Sequence, residues 1–225
     1  MDPRKLFLDE RLTNLCAYCG CRSETRDHVP SKVLLDKPYP DDLPVVPCCL
    51  ACNVGVSAAE QYFACLVECV KHGSAFPDDR FRATVSATLT SRPGLSERIA
   101  RSRNREGHFE PEQEAVTQVL LKLGRGHITS ELGLLHCEEP TAFSFFPLHL
   151  MSDDALHWFS TIESSGLYPE IGSRAFLALS SRITSGFEQW NVVQDGLYMY
   201  AVGQGAGDWV RLVVGDYLGC YIAWE

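Results

Sequence analysis

The 225-residue chain has no uninterrupted run near the roughly 18 apolar residues that a membrane-spanning helix needs, so no membrane partner is expected. Its opening, Met1-Asp2-Pro3-Arg4-Lys5, leads into no apolar segment ahead of a small-residue cleavage site. The expectation is a soluble, cytoplasmic protein. Basic residues are scarce: 20 Lys+Arg face 29 Asp+Glu, a net charge of −9. That balance argues against a protein that grips nucleic acid with its whole surface, so any such contact must be local. The deficit is uneven, because residues 131–225 hold 3 basic against 12 acidic side chains. Internal repeats and low-complexity tracts are also missing.

What is present is enough apolar sequence for a core, 45% of residues, and an uneven set of cysteines. Six of the ten fall between Cys16 and Cys52. A secreted disulfide framework would scatter them, whereas reduced thiols in the cytosol more often bind metal. Two C-x-x-C units, Cys16-Ala-Tyr-Cys19 and Cys49-Leu-Ala-Cys52, each turn two thiolates toward one point about 2.3 Å from a tetrahedral zinc. Four ligands close a structural site. The alternatives are buried small apolar residues or a redox pair. Cys21 and Cys48 are read as packing or spare thiols, and Cys65, Cys69, Cys137 and Cys220 as core.

Along the chain, residues 3–14 suggest a short entry helix and Arg26–Val29 a short strand stopped by Pro30. Residues 35–47, with Pro38, Pro40, Pro44 and Pro47, read as a loop holding at most a brief strand at Val45-Val46. Val56, Phe63, Leu66, Val67 and Val70 recur at helical spacing from about Asn53 to His72, with Gly73 in the capping position. Residues 78–124 read as helices separated by a Pro93-Gly94 turn, the last running from Pro111 to Gly124 with Val116, Val119, Leu120 and Leu123 as its stripe. A further helix is expected after Ser152, with Leu156, Phe159 and Ile162 facing inward. Segments 174–180, 197–203, 208–214 and 217–224 read as strands. Gly203-Gln204-Gly205-Ala206-Gly207 opens no helix and is read as a hairpin turn rather than a phosphate loop.

Asp27-His28-Val29-Pro30 lies between the two C-x-x-C units and Asn53 comes directly after the last cysteine, so one zinc would draw Asp27, His28 and Asn53 into one neighbourhood. A carboxylate and an amide oxygen are hard ligands suited to Mg²⁺ or Mn²⁺. An imidazole beside such an ion can take a proton from water, and the chemistry this permits is metal-assisted phosphodiester hydrolysis. Asn is also a favoured helix N-cap, and both roles can hold together.

From Cys16 to about Phe63, the order C-x-x-C, D-H-V-P, a Pro-rich loop and V-P-C-C-x-x-C-N resembles the HNH endonucleases, whose ββα-metal unit surrounds one divalent ion. The resemblance implies His28 as general base, Asp27 and Asn53 as ligands of catalytic Mg²⁺ or Mn²⁺, and Cys16, Cys19, Cys49 and Cys52 as structural zinc ligands. It also implies DNA as substrate and products with a 5′-phosphate and a 3′-hydroxyl. The Asp-His-Asn version occurs likewise in the HNH domain of RNA-guided nucleases. Two departures stand out. The family's middle Asn would fall near Leu43-Pro44, with Asp42 as the nearest substitute. No basic residue stands just after Asn53, and Lys32 is the replacement phosphate contact. The rest of the chain is similar to the helical and β-rich segments that come after the motif in stand-alone bacterial HNH proteins, which implies a defence setting.

The expected fold is α+β: a zinc-stabilised ββα-metal module over 1–75, a helical connector over 76–130, and an acidic β-rich domain of unassigned role over 131–225. The connector carries a basic stripe, Arg92, Arg98, Arg101, Arg103 and Arg105, read either as a solvated helix face or as a DNA contact. His72, His108, His127, His136, His149 and His157 show no spacing that builds a second metal site. Trp190, Trp209 and Trp224 belong to the core or to a protein-binding face. The leading functional expectation is a metal-dependent DNA endonuclease. Its rivals are a zinc-knuckle module binding nucleic acid or protein without cleavage, and a toxin nuclease silent until a partner arrives. A protein partner or a homodimer would relieve the net acidity.

Overall fold

Thr25–His28 (β1) and Val45–Cys48 (β2) pair antiparallel, Thr25 opposite Cys48 and His28 opposite Val45. Leu50–Gly55 (α1) comes directly after β2, and beyond Val56 the chain continues as Ser57–His72 (α2). The computed structural model describes residues 10–181 and 187–225. The entry helix expected over 3–14 therefore lies outside the described residues up to residue 9; Glu10–Leu12 form a single 3-10 turn. Gly73 takes φ 63° and caps α2, the left-handed conformation that glycine adopts without a steric cost.

Ala83–Ser91 (α3) and Pro93–Arg101 (α4) come next. Pro93 opens α4 at its first turn, where a missing N–H costs nothing, so Pro93-Gly94 starts a helix rather than only separating two. The long helix Gln113–Leu132 (α5) overruns the expected stop at Gly124 and ends at Gly133, φ 70°. The physical reason is close packing. A Cβ on Gly124 would stand 2.6 Å from Ile222 Cδ1, and one on Gly126 would stand 2.8 Å from Val29 Cγ2. These glycines bring α5 against its neighbours instead of ending it.

Ala142–Pro147 (β3), Asp153–Ser160 (α6), Arg174–Ser181 (α7), Asn191–Gln194 (β4), Tyr198–Gln204 (β5), Asp208–Val214 (β6) and Leu218–Trp224 (β7) complete the fold. The sheet is antiparallel with order β3-β7-β6-β5-β4. Residues 205–207 make the β5–β6 turn, while Gly203 and Gln204 of the expected turn pair in the ladder opposite Trp209 and Asp208. Segment 174–180, expected as a strand, is the helix α7. Its apolar residues serve helical spacing, and Ala175 and Ala178, three apart, are the buried ones. Ser152 caps α6 through its hydroxyl and Phe159 is buried as expected, but Leu156 is exposed. Among the aromatics of the acidic third, Trp224 is buried, and Trp190 and Trp209 are half-buried. Arg211 lies over the rings of Trp158 and Trp209 while donating to the carbonyls of Trp158, Phe159 and Thr161 at the end of α6.

One apolar core runs from Leu34 and Tyr62 through Val116, Leu120 and Ile128 to Tyr198, Val210 and Trp224, so α5 is packed by α2 on one side and by the five-stranded sheet on another. A second, smaller cluster holds Cys16, Ala17, Tyr18, Val29, Val46, Cys48 and Cys49. One helical stretch among the described residues, Leu50–His72, is long and apolar enough to cross a membrane by composition, at mean hydropathy 1.2. Its α2 portion buries Tyr62, Phe63, Cys65 and Cys69 in the main core.

Candidate metal centre and the Asp27-His28 motif

The chain reverses tightly around the first C-x-x-C. Cys16 N–H donates to the Cys21 carbonyl at 2.6 Å and Gly20 N–H to the Cys16 carbonyl at 2.9 Å. Ala17 N–H donates to the Pro47 carbonyl at 2.9 Å, which anchors this turn to β2. The second C-x-x-C straddles the start of α1. Cys49 is its N-cap and accepts the Cys52 N–H on its sulfur at 3.4 Å. All four Sγ atoms of Cys16, Cys19, Cys49 and Cys52 then lie within 4.8 Å of one another. A tetrahedron with arms of about 2.3 Å has edges of about 3.8 Å, and Cys19 Sγ stands 3.8 Å from Cys49 Sγ. The four thiols can hold a structural metal such as zinc.

The electrostatics are graded within this set. The Cys52 N–H, its largest influence, holds the Cys49 thiol below its ordinary pKa. Burial pushes Cys16 and Cys52 up. Cys48 is buried outside the set, its thiol pushed up to about 11 by burial and in contact with Thr25 Oγ1 at 3.2 Å. Cys21 is exposed. Cys65, Cys69 and Cys220 are core residues, but Cys137 is not: it is exposed, and a Cβ on Gly20 would stand 3.0 Å from its sulfur. The loop after α5 thus carries Cys137 beside the first C-x-x-C turn rather than into the interior.

Asn53, in α1, reaches across to β1. Its Nδ2 donates to Thr25 Oγ1 at 3.1 Å and to the Arg26 carbonyl at 3.4 Å, next to Asp27 and His28. Alternation along β1 sends Asp27 and half-buried His28 to opposite faces of the hairpin. Asp27 turns inward. Its Oδ2 accepts from Lys122 Nζ of α5 at 2.7 Å and from Tyr18 OH at 3.0 Å, and its Oδ1 accepts the His28 N–H at 2.9 Å. Lys122 Nζ also donates to Glu60 Oε1 of α2 at 2.7 Å, and Ser31 Oγ donates to the same oxygen. The Lys122 side chain is 5% exposed, Asp27 15% and Glu60 11%. Burial works against the Lys122 ammonium, but its bonds to Asp27 and Glu60 outweigh that and leave its pKa above the ordinary lysine value. Burial first, then the Asp27 charge, raises the Tyr18 hydroxyl well above the usual phenol range.

The divalent ion that the HNH resemblance implies does not fit this arrangement as it stands. The Asp27 oxygens already accept three hydrogen bonds, one of them from the Lys122 ammonium, whose charge opposes a second cation there. Lys122, Glu60, Tyr18 and Ser31 are not site candidates on the sequence alone. The one legible signal is a lysine interrupting Val119-Leu120-Leu121-Lys122-Leu123, on the same helical face as Val119 and Gly126.

The basic residues expected at nucleic acid have other engagements. Lys32 is exposed and lies over the Tyr39 ring at 5.3 Å. Within the arginine stripe, Arg98 makes a two-nitrogen contact with the Glu112 carboxylate, and Arg103 donates to the Gly73 and Gly107 carbonyls. Arg92 donates to Gln61 and Arg101 to the Glu97 carbonyl. Four of the five stripe arginines thus make contacts within their own fold. No other group of His, Cys, Asp or Glu side chains converges as the four cysteines do among the described residues. The chain matches no protein-family model, and neither curated proteins nor solved structures give a match.

Proposed function

We propose that the chain is an HNH-type endonuclease acting on DNA phosphodiesters, with its Asp27 carboxylate held closed in the resting fold. The observation that carries this reading is the convergence of both C-x-x-C units on one tetrahedral set while Asn53 is stitched to the Arg26 carbonyl beside Asp27-His28. In this reading half-buried His28 takes the proton from the attacking water. Asn53 fixes the backbone of β1 against α1, and the zinc-bound thiolates keep the two elements together. Net charge −9 and a stripe of arginines engaged within the fold support weak, salt-sensitive DNA binding by the chain alone.

A second reading is favoured by one specific contact. Asp27 bonded to Lys122 is what a zinc-stabilised binding module without cleavage would display. The experiment that separates the two is plasmid nicking at low salt with Mg²⁺ or Mn²⁺, wild type against His28→Ala, with zinc measured on the same samples. Slow nicking lost in zinc-loaded His28→Ala supports the nuclease. No nicking by zinc-loaded wild type, nor by a Lys122→Met variant that frees Asp27, refutes it in favour of the binding module.

A further inference from the structure

Lys122 joins two parts of the molecule that the sequence keeps far apart. Asp27 comes from β1 and Glu60 from α2, both in the cysteine-bearing third of the chain, whereas Lys122 belongs to the helix that backs the five-stranded sheet. Its ammonium lies 2.7 Å from one oxygen of each carboxylate, and the Tyr18 ring lies beneath it at 5.4 Å. One turn further along α5, Gly126 lets the helix backbone press on Val29 and Tyr18. The closeness is therefore built into α5, not left to a long side chain reaching from the surface.

Two buried carboxylates facing each other need a counter-charge, and unpaired they would be costly. An ammonium meets that need with three donors and one positive charge. A Mg²⁺ or Mn²⁺ ion would meet it with oxygens at about 2.0–2.2 Å, and at Asp27 it would face the ammonium on Oδ2 and the His28 N–H on Oδ1. The two cations exclude each other. We propose that Lys122 is a built-in cation that closes Asp27 to divalent ions in this fold. This rests on the nuclease reading for its purpose, but the exclusion itself concerns metal binding and is measured without any cleavage.

The test is Mn²⁺ titration, monitored by the electron paramagnetic resonance signal of the free aquo ion, using the full zinc-loaded chain. Wild type and Asp27→Asn are expected to bind Mn²⁺ alike, because the carboxylate is closed in the one and absent from the other. Lys122→Met is expected to gain a site that the added change Asp27→Asn abolishes. The gain should be about 100-fold in affinity, the upper size of effects from altering a partner of a metal ligand. Lys122→Met strands two carboxylates, so Lys122→Met/Glu60→Gln, which keeps the net charge of the cluster, provides a second released variant. Lys122→Arg, which keeps the cation, should show no gain.

If wild type itself binds Mn²⁺ in a way that Asp27→Asn abolishes, the proposal is overturned whatever the variants do. It is equally overturned if the folded released variants bind no more tightly than wild type. Released variants that gain Mn²⁺ and nick DNA through His28 support both lock and nuclease. Variants that gain Mn²⁺ yet never nick leave the lock standing and refute the nuclease. Wild type that binds Mn²⁺ through Asp27 and nicks DNA refutes the lock and leaves the nuclease.

Discussion

Replacing one thiolate of the cysteine set, by Cys49→Ser, is expected to unfasten one part of the molecule and leave the rest standing. The size of the effect is set by how little apolar packing of its own that part has. In its separate cluster only Tyr18, Val29 and Val46 carry sizeable side chains, and at ~1.5–3 kcal/mol for each buried side chain of that class they supply at most about 5–9 kcal/mol. Structural zinc in small units contributes about 10–16 kcal/mol of apparent binding free energy. An ion held there would outweigh the packing. Cys49 stands at the tetrahedral edge distance from Cys19 and also caps α1, so the substitution weakens the metal site and the helix start together. The loss in zinc affinity should exceed the 100-fold upper range for outer-shell changes. The assay pairs zinc content with amide hydrogen exchange: protection should fall over Cys16–His28 and Val45–Gly55 while α5 and β5–β7 keep theirs. A Cys49→Ser protein with a full complement of zinc and unchanged exchange would refute the metal assignment. Equal loss across α5 and the sheet would refute the separateness of the small cluster.

Three further outcomes are expected. His127, buried with Nε2 against Tyr198 OH at 2.8 Å, has its pKa lowered by burial to about 3. The unfolded chain takes up a proton near pH 6.5 that the folded chain refuses, so wild type should lose about 2 kcal/mol relative to His127→Gln between pH 6.5 and pH 5; parallel urea-midpoint curves would contradict this. Burial raises the Glu68 carboxyl, but the Arg82 backbone N–H and guanidinium outweigh it and hold it below the usual range. That stabilisation is present above the unfolded pKa and is lost as pH falls through the lower folded value, so the ~3 kcal/mol cost of Glu68→Gln near neutrality should shrink in acid, as read from denaturant midpoints. A Cβ on Gly207 would stand 2.0 Å from the backbone oxygen of Trp224; Gly207→Ala should cost about 1–3 kcal/mol, and an unchanged thermal midpoint would count against the close approach of that turn to β7.

Local chemistry makes much of this structure legible in the sequence. Two C-x-x-C units have few ways to be satisfied other than a shared tetrahedral point, and the four sulfurs converge. Gly73 ends α2 where a left-handed residue is required, and residues 205–207 form the hairpin turn that the glycines and the lack of a following helix announce. Long-range packing is the part that stays hidden. Gly124 and Gly126 resemble helix ends until Ile222 and Val29 are seen to press on them, and no local pattern reveals that pressure. Segment 174–180 carries apolar residues that fit either period, and only the neighbours of Ala175 and Ala178 decide between helix and strand. Lys122 is the sharpest case: its partners lie 95 and 62 residues away, and a lysine within an apolar run has no sequence mark that tells an internal counter-charge from a surface one.

The sharing of α5 between the cysteine-bearing elements and the sheet bears on portability. A piece ending near residue 75 would keep all four cysteines of the candidate metal site, yet it would lay bare Tyr62, Phe63, Leu66 and Val67, which α5 and the sheet cover in the whole chain. It would also leave Asp27 and Glu60 facing each other with no ammonium between them. Such a fragment, grafted onto another protein, would arrive sticky and electrostatically unbalanced. The cysteine-bearing portion leans on its surroundings, and transplanting it means carrying α5 along with it.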